Sequence, residues 1–272
     1  AQSGAGLVMV EYSHINLAGR SESNQLGAHD DTCLPGLSQI AATLHNAGVK
    51  TGLQITHCGG KDSAGISADI MGPSGITVPA YDRVLPTPRA MTLDDIETWQ
   101  QDFVNGAIRA DKAGFDLVEL HCAHGYGINQ WLSPLTNQRQ DQYGGSLENR
   151  ARILLEIVSK IKQAAPRLAV MTRIPGQDGY PGGLSHDDMG HVSQWLVDAG
   201  VEILNVSSGI GGWNRPKDKR GEGFLVEDAA PLTGTTTAAV IGVGGIESID
   251  YIETILATKQ VDLVAVGRAI LA

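Results

Sequence analysis

The sequence predicts an α/β protein built on one parallel sheet. Seven short apolar runs alternate along the chain with longer segments in which apolar residues recur every three or four positions. The runs are apolar at nearly every position, as strands buried on both faces require. Glycine is abundant at 34 of 272 residues and aromatic residues make up only 5%, which suits many tight strand-to-helix turns better than a β-sandwich.

The predicted elements follow from these patterns and from local start signals. The strands are predicted at 7–12, 51–56, 117–121, 169–173, 203–207, 238–243 and 261–266, and the helices at 35–47, 92–113, 146–165, 186–199 and 248–259. Thr92 with Asp95 three residues later, Ser146 and Ser185 are N-cap signals for three of the helices. No linker or change of composition divides the chain, so we predict a single domain over residues 1–272.

Two architectures are compatible with this pattern, an open doubly wound sheet and a closed (β/α)8 TIM barrel. The turn "GVGGI" at 242–246 lies too late for a dinucleotide fingerprint, lacks its third glycine, and has no acidic residue about twenty positions on. Barrels often hold phosphate in the loops after strands seven and eight. The turn at 242–246 and the turn at Gly267-Arg268 follow the sixth and seventh predicted strands, so they would be those loops if one strand precedes residue 1. Seven strands leave two open edges. We therefore expect a barrel whose first strand is missing from the chain and whose last helix is truncated.

Composition also limits the partners and the location. The net charge of -10 argues against nucleic acid and anionic membranes, and favours small-molecule ligands. Three scattered cysteines (Cys33, Cys58 and Cys122) do not form a disulfide framework, and no signal-like or spanning apolar run occurs, so we expect a reducing cytoplasm. The oligomeric state is left open, and a homo-oligomer is compatible with the sequence.

A family resemblance rests on several motifs in order along the chain. The stretch at 121–150 reads "HCAHGYGINQWLSPLTNQRQDQYGGSLENR", preceded by "GLQITHCGGK" and "PRAMT" and followed by "VSSG", "GVGGI" and "VAVGRAIL". This arrangement resembles the Old Yellow Enzyme family of flavin-dependent ene-reductases over nearly the whole chain. The resemblance implies a (β/α)8 barrel with FMN, reduced by NADH or NADPH, which then reduces the C=C bond of a small activated alkene in a ping-pong cycle.

The resemblance also assigns catalytic roles at the end of the third predicted strand. Hydride addition to an enone builds negative charge on the carbonyl oxygen, which hydrogen-bond donors stabilise. His121 and His124 are the expected donors, because barrel active sites lie at the carboxyl ends of the strands. Tyr126 is the expected proton donor to the α-carbon, and we expect it to lie on the same side as His124 of an extended segment. Gly127 replaces a bulkier apolar residue, so we expect a looser loop there.

The expected FMN ligands follow the same motifs. Gln54 is expected at the pyrimidine edge of the flavin, and Arg173 near N1 and the C2 carbonyl, where its charge stabilises the anionic reduced ring. Backbone amides at Gly244, Gly245 and Gly267 and the Arg268 guanidinium are expected to hold the phosphate. These six positions complete the predicted site.

Three alternatives remain. A zinc site is considered at the pairs His57-Cys58 and His121-Cys122, but neighbouring strand residues point to opposite faces, so we expect no metal there. The same barrel could instead serve a flavin-dependent dehydrogenase or demethylase that oxidises an amine or alcohol. An inactive, flavin-free fragment is the alternative outside enzymes, and the colour of the purified protein distinguishes it.

Overall fold

The structure, a computed structural model, describes residues 4–62, 65–213 and 220–271. Nine strands lie within these ranges: β1 (Leu7–His14), β2 (Lys50–Thr56), β3 (Met71–Gly72), β4 (Arg89–Ala90), β5 (Leu117–His121), β6 (Ala169–Pro175), β7 (Ile203–Ser207), β8 (Ala239–Gly242) and β9 (Leu263–Val264). Seven form one parallel sheet in the order β1-β2-β5-β6-β7-β8-β9. The predicted seven-stranded parallel sheet is confirmed, and it is consistent with a (β/α)8 barrel.

Helices connect the strands as the crossovers of a parallel sheet require. They are α1 (Leu34–Asn46), α2 (Leu93–Ala113), α3 (Gly127–Leu132), α4 (Leu147–Ala164), α5 (His186–Asp198), α6 (Val226–Ala229), α7 (Ile249–Ala257) and α8 (Arg268–Leu271), with short 3-10 turns at Leu17–Gly19, Asp31–Cys33 and Ala230–Leu232. The predicted N-caps are observed. Thr92 forms a capping box with Asp95, and Ser185 forms one with Asp188, while the Ser146 side chain accepts a bond from the Asn149 amide.

Several short elements escaped the sequence pattern: helix α6, the 3-10 turns, the strands β3 and β4, and helix α3. β3 and β4 pair with each other as a two-residue parallel bridge outside the main sheet, which is too short for any periodicity. Helix α3 is buried at all six positions, so its sequence "GINQWL" shows no polar face. The β3–β4 pair follows the carboxyl end of β2, and helix α3 follows the carboxyl end of β5. Site residues were predicted at both of these strand ends.

Alternation along the strands stacks the inward-facing side chains in layers. Leu117 and Met171 belong to an apolar cluster separate from the core between sheet and helices. Two residues further along the same strands, Glu119 and Arg173 interact electrostatically, and His121 ends β5 two residues after that. The interior therefore changes from apolar to polar toward the carboxyl ends of the strands, the end at which barrel active sites lie.

The two edge strands of the main sheet, β1 and β9, are those between which the predicted missing strand would lie. Among the described residues, β1 pairs only with β2 and β9 pairs only with β8 in the main sheet. The position of a strand between β1 and β9 stays a prediction.

Candidate active site

His121, His124 and Tyr126 gather around one tight turn. His121 is the last residue of β5, and Tyr126 is the N-cap of α3. The His121 ring lies 4.9 Å from that of His124 and 4.8 Å from that of Tyr126, measured between centroids. The expected extended segment is wrong, because His124 has φ of 62° and so adopts the left-handed conformation that is uncommon outside glycine. The turn, rather than a strand's alternation, brings the three rings together.

His121 presents a neutral imidazole. Its Nδ1 accepts a hydrogen bond of 3.3 Å from the backbone amide of Ala123, so the ring proton resides on Nε2. Burial lowers the pKa of His121 well below its ordinary value, and the nearby charges of Arg173 and Lys61 act in the same direction. The Nε2–H of His121 is therefore available as a donor that does not titrate near neutral pH.

His124 is linked to Arg173 through one serine hydroxyl. Ser207, the last residue of β7, has its Oγ 2.6 Å from Nε2 of His124, and the same Oγ accepts a bond of 3.2 Å from Nη2 of Arg173. The backbone amide of His124 donates to the carbonyl of Ser208 at 2.9 Å. The last residue of β7 thus fixes the ring of His124, and the residue after it fixes the backbone.

Tyr126 is buried, and its hydroxyl is in contact with two others. It hydrogen-bonds with Tyr12 on β1 and with Ser21 in the loop that follows β1. The Tyr12 and Tyr126 rings lie 5.6 Å apart, and Tyr12 is partly exposed. Burial raises the pKa of Tyr126 strongly, so the phenol keeps its proton at neutral pH.

Lys61 brings a cation to the same turn. Its Nζ donates to the backbone carbonyl of His124 and lies 4.9 Å from the centre of the Tyr126 ring. Burial, followed by the charge of Arg83, lowers the pKa of Lys61 from 10.5 to about 8. Lys61 is therefore a positive charge close to the two predicted catalytic side chains, and it titrates near physiological pH.

Gly127 does not loosen the loop, so that expectation is wrong. A Cβ built on Gly127 would lie 2.8 Å from the carbonyl oxygen of His57 and 2.9 Å from the Trp99 ring. Its amide donates to the His57 carbonyl at 2.8 Å. Glycine at this position allows α3 to pack directly against the end of β2, and the loop is rigidly placed as a result.

The polar layer beneath the histidines is centred on Glu119. Its carboxylate accepts a short bond from the Gln54 amide on β2 and one of 2.7 Å from Asn205 Nδ2 on β7. Burial raises the pKa of Glu119, and the charge of Arg173 opposes that rise. Arg173 has its own pKa lowered by burial, with Glu119 acting against it. The structure thus brings Gln54 and Arg173, both predicted cofactor ligands, into one interior layer.

This layer also contains unsatisfied polar atoms that suit a flavin. Nε of Arg173 and Oδ1 of Asn205 are buried and have no hydrogen-bond partner among the residues that the structure describes. Buried polar atoms are normally paired, so a donor and an acceptor left open in one layer indicate a polar ligand. The pyrimidine edge of FMN carries both acceptors and a donor. The open donor of Arg173 and the open acceptor of Asn205 therefore fit the pyrimidine edge of FMN.

The predicted phosphate ligands follow two neighbouring strands. Gly244 and Gly245 have φ of 114° and 65°, conformations that strongly favour glycine, and they come directly after β8. Gly267 and Arg268 follow β9, which pairs in register with β8 through Gly242 and Val264. Among the described residues, no atom lies within 4 Å of a Cβ built on Gly267, and the Arg268 side chain is exposed. A Cβ on Gly244 would lie 2.9 Å from the Leu225 amide nitrogen, so the two turns share one edge of the sheet but only the turn at Gly267 has open space beside it.

Sequence reasoning missed six side chains at the site: Tyr12, Ser21, Lys61, Glu119, Asn205 and Ser207. Lys61 and Ser207 lie inside motifs that carried the resemblance, "GLQITHCGGK" and "VSSG", so their positions were visible although their roles were not. Glu119 was the strongest missed signal, because a carboxylate in an apolar strand predicts a buried partner.

The fold and this arrangement of side chains define a class of protein. A parallel barrel-type sheet that directs two histidines, a tyrosine and an unsatisfied arginine toward one mouth is typical of flavin-dependent oxidoreductases. The family model described as the NADH:flavin oxidoreductase / NADH oxidase family matches residues 1–272. The chain belongs to this family, of the Old Yellow Enzyme type, and is an NAD(P)H-dependent flavin oxidoreductase with FMN as its cofactor.

Curated relatives and solved structures agree with this assignment. An NADPH dehydrogenase of Geobacillus sp. (strain WCH70) is 38% identical over 98% of this chain and 76% of its own length. One of Bacillus pumilus (strain SAFR-032) is 36% identical over 100% of this chain and 78% of its own length. Morphinone reductase in complex with tetrahydroNAD superposes with a TM-score of 0.81 at 27% identity, over 98% of this chain and 75% of that one.

Longer proteins share the fold as well. Histamine dehydrogenase from Rhizobium sp. 4-9 has a TM-score of 0.86 at 27% identity, and this chain covers 40% of it. A 2-naphthoyl-CoA reductase has a TM-score of 0.88 at 24% identity, which shows the fold alone, and this chain covers 42% of it. Among the described residues, no helix has both the length and the apolar character needed to cross a membrane.

Proposed function

We propose that the chain is an ene-reductase, which uses NADH or NADPH to reduce the C=C bond of a small α,β-unsaturated carbonyl compound. The observation that carries the proposal is the convergence of His121, His124 and Tyr126, whose rings lie within 5 Å centroid to centroid about His121. Two imidazoles beside a protonated phenol provide donors for an oxygen and a proton for a carbon. Bound FMN supplies and accepts the hydride.

The two histidines bind the carbonyl oxygen of the substrate. His121 does so through Nε2–H, because its Nδ1 is occupied by the Ala123 amide. The Oγ of Ser207 lies 2.6 Å from Nε2 of His124 and so holds the plane of that ring. His121 is neutral, and both rings are held in place before the substrate binds. Preorganised donors stabilise a developing oxyanion most effectively.

Tyr126 gives its proton to the α-carbon, and Tyr12 with Ser21 supports that step. Burial keeps Tyr126 protonated until the enolate forms beside it. The hydrogen bond from the Ser21 hydroxyl stabilises the resulting phenolate oxygen, because it favours the charged form of Tyr126. Tyr12 joins Tyr126 to the surface, so a proton from water reaches the phenolate through it.

Residues of the polar layer and of the two glycine turns would hold FMN in this proposal. Gln54 and Arg173 would bind its pyrimidine edge, with Nε of Arg173 as a donor. Gly244, Gly245, Gly267 and Arg268 hold the phosphate. Residues 1–272 act as a single domain, since the site draws on β1, β2, β5, β6 and β7 of one sheet.

The test separates the two half-reactions by stopped flow. The holoenzyme is reduced anaerobically with NADH or NADPH and then mixed with a simple cyclic enone. In Tyr126→Phe we expect flavin reduction to stay close to the parent rate and reoxidation by the enone to slow at least about tenfold, because only the second half needs a proton at carbon. Reoxidation of Tyr126→Phe at the parent rate would remove Tyr126 from its role, and a parent enzyme that no enone reoxidises would reject ene-reduction.

A second candidate is oxidation of an amine, favoured by the likeness to histamine dehydrogenase. A protein of that kind would be reduced by an amine donor as fast as by NAD(P)H. Anaerobic mixing of the oxidised protein with histamine and with NADPH decides between the two, and we expect bleaching of the flavin only with the nicotinamide.

A further inference from the structure

A cluster of metal-ligating side chains lies outside the active site, in the loop between β1 and α1. His29, Asp30 and Cys33 each place one ligand atom within 4.8 Å of the other two, and they form the one such group among the described residues. Sequence reasoning considered zinc only at the two His-Cys pairs, and neither pair contributes to this group. Cys33 is also the cysteine of the three that is not buried.

The spacing within the cluster matches a tetrahedral metal centre. Sγ of Cys33 lies 3.6 Å from Nδ1 of His29. Two ligands of one zinc ion, with Zn–S of about 2.3 Å and Zn–N of about 2.0–2.1 Å, lie about 3.6 Å apart at a tetrahedral angle. The carboxylate of Asp30 is fixed by the Thr32 amide at 2.9 Å, and hydrogen bonds from Thr32 hold the pKa of that carboxyl below its usual range. The other carboxylate oxygen of Asp30, Oδ2, lies 3.3 Å from Nε2 of His29, and one ligand atom from each of the three residues lies within 4.8 Å of the other two.

A second observation independently points to space in front of the ligand nitrogen. Gly27 does not have a positive φ, so its backbone conformation does not call for glycine. A Cβ at Gly27 would, however, lie 2.5 Å from Nδ1 of His29 and 3.0 Å from Nε2 of His14. The absence of a side chain at Gly27 therefore avoids a clash with both imidazole nitrogens.

His14 packs its ring against that of His29. The two imidazole rings stack with centroids 4.6 Å apart. Nδ1 of His14 donates to the Asn16 carbonyl at 3.0 Å, which leaves Nε2 with its lone pair on the side of Gly27. This stacking fixes the plane of the His29 ring.

We propose that His29, Asp30 and Cys33 bind a borderline divalent transition metal, of which zinc is the representative ion. One thiolate, one imidazole and one carboxylate form a donor set that zinc accepts, with water in the fourth position. The ion bridges the loop after β1 to the start of α1. This proposal is independent of the reaction at the flavin.

The test uses the FMN-loaded enzyme, freed of metal by a chelator, with zinc chloride as the probe. We expect about one zinc per chain by equilibrium dialysis, protection of the Cys33 thiol from a disulfide reagent, and one sulfur neighbour at about 2.3 Å in zinc-edge X-ray absorption. Cys33→Ser and His29→Ala should each lower zinc affinity about tenfold or more, since even outer-partner changes cost 10–100-fold. His191→Ala, which removes an exposed histidine on α5, is the matched control and should change nothing.

Gly27→Ala provides a variant that keeps every ligand. Its methyl group would fill the space in front of Nδ1 of His29, so we expect zinc affinity to fall while FMN content stays at the parent level. Zinc that binds without a sulfur neighbour, or that binds Cys33→Ser as tightly as the parent, would overturn the proposal. Weakened binding in Gly27→Ala and Cys33→Ser together supports it.

Discussion

At the scale of single residues, Ser207 connects substrate binding to the cofactor layer. Its hydroxyl contacts both Nε2 of His124 and Nη2 of Arg173. In Ser207→Ala we expect kcat/KM for an enone to fall about 10–100-fold, because hydrogen bonds that involve a charged group contribute about 1.5–3 kcal/mol. Ser208→Ala is the matched control: its Oγ is buried and has no hydrogen-bond partner among the described residues, so its removal should be neutral. Equal losses in both variants would contradict a specific role for Ser207.

Lys61 makes activity and stability depend on pH in opposite directions. Its pKa of about 8 in the folded protein lies below its ordinary value of 10.5. As pH rises through about 8, the ammonium beside His124 and Tyr126 is lost, so we expect kcat/KM to fall. Between pH 8 and 10.5 the unfolded chain holds the extra proton, so the contribution of Lys61 to the free energy of unfolding rises with pH. Lys61→Met should flatten both trends. The checks are a pH profile of enone turnover and urea unfolding at pH 7.5 and 10, and a profile unchanged by the substitution would exclude Lys61.

At the scale of elements, Gly127 and Gly190 form a matched pair. Both begin or lie within a helix, but a Cβ at Gly127 would clash with the His57 carbonyl at 2.8 Å, whereas a Cβ at Gly190 in α5 meets nothing within 4 Å. Gly127→Ala should lower the free energy of unfolding by about 1–3 kcal/mol through overpacking. Gly190→Ala should raise it by about 0.5–1 kcal/mol, because alanine has the higher helix propensity. Urea unfolding measures both, and the same sign in both variants would contradict the packing argument.

The elements that the sequence predicted correctly are those with long periodic patterns and side-chain caps. Helix α2 begins at the Thr92 capping box as expected, and β5 has the predicted bounds. Helix α3 was missed because its six residues are all buried, and β3 with β4 because each has two residues. Periodicity reports a boundary between core and solvent. It therefore cannot detect an element that lies wholly inside the protein.

At the scale of the whole molecule, the parallel sheet assembles the site from residues far apart in the chain. His121, His124 and Tyr126 could be predicted because one motif contains them. Tyr12 could not, since only the pairing of β1 beside β2 and of β2 beside β5 brings it within 6.4 Å of the His121 ring. Glu119 and Asn205 meet in the same way across β5, β6 and β7. Such contacts depend on register, which no local pattern specifies.

Bound FMN should stabilise the whole fold. The predicted phosphate ligand Arg268, in the turn after β9, allows this to be tested. A ligand that binds only the folded state adds about 2.7 kcal/mol at one hundred times its Kd, so removal of FMN should lower Tm. Arg268 is exposed, so Arg268→Ala should leave the Tm of the apoprotein unchanged but reduce the increase that added FMN gives. Arg167→Ala removes another exposed arginine, one that pairs with Asp111 near the end of α2, and should retain the full increase. Thermal unfolding of the three apoproteins with and without FMN measures this difference. If Arg268→Ala gains as much from FMN as the parent does, the phosphate is held elsewhere.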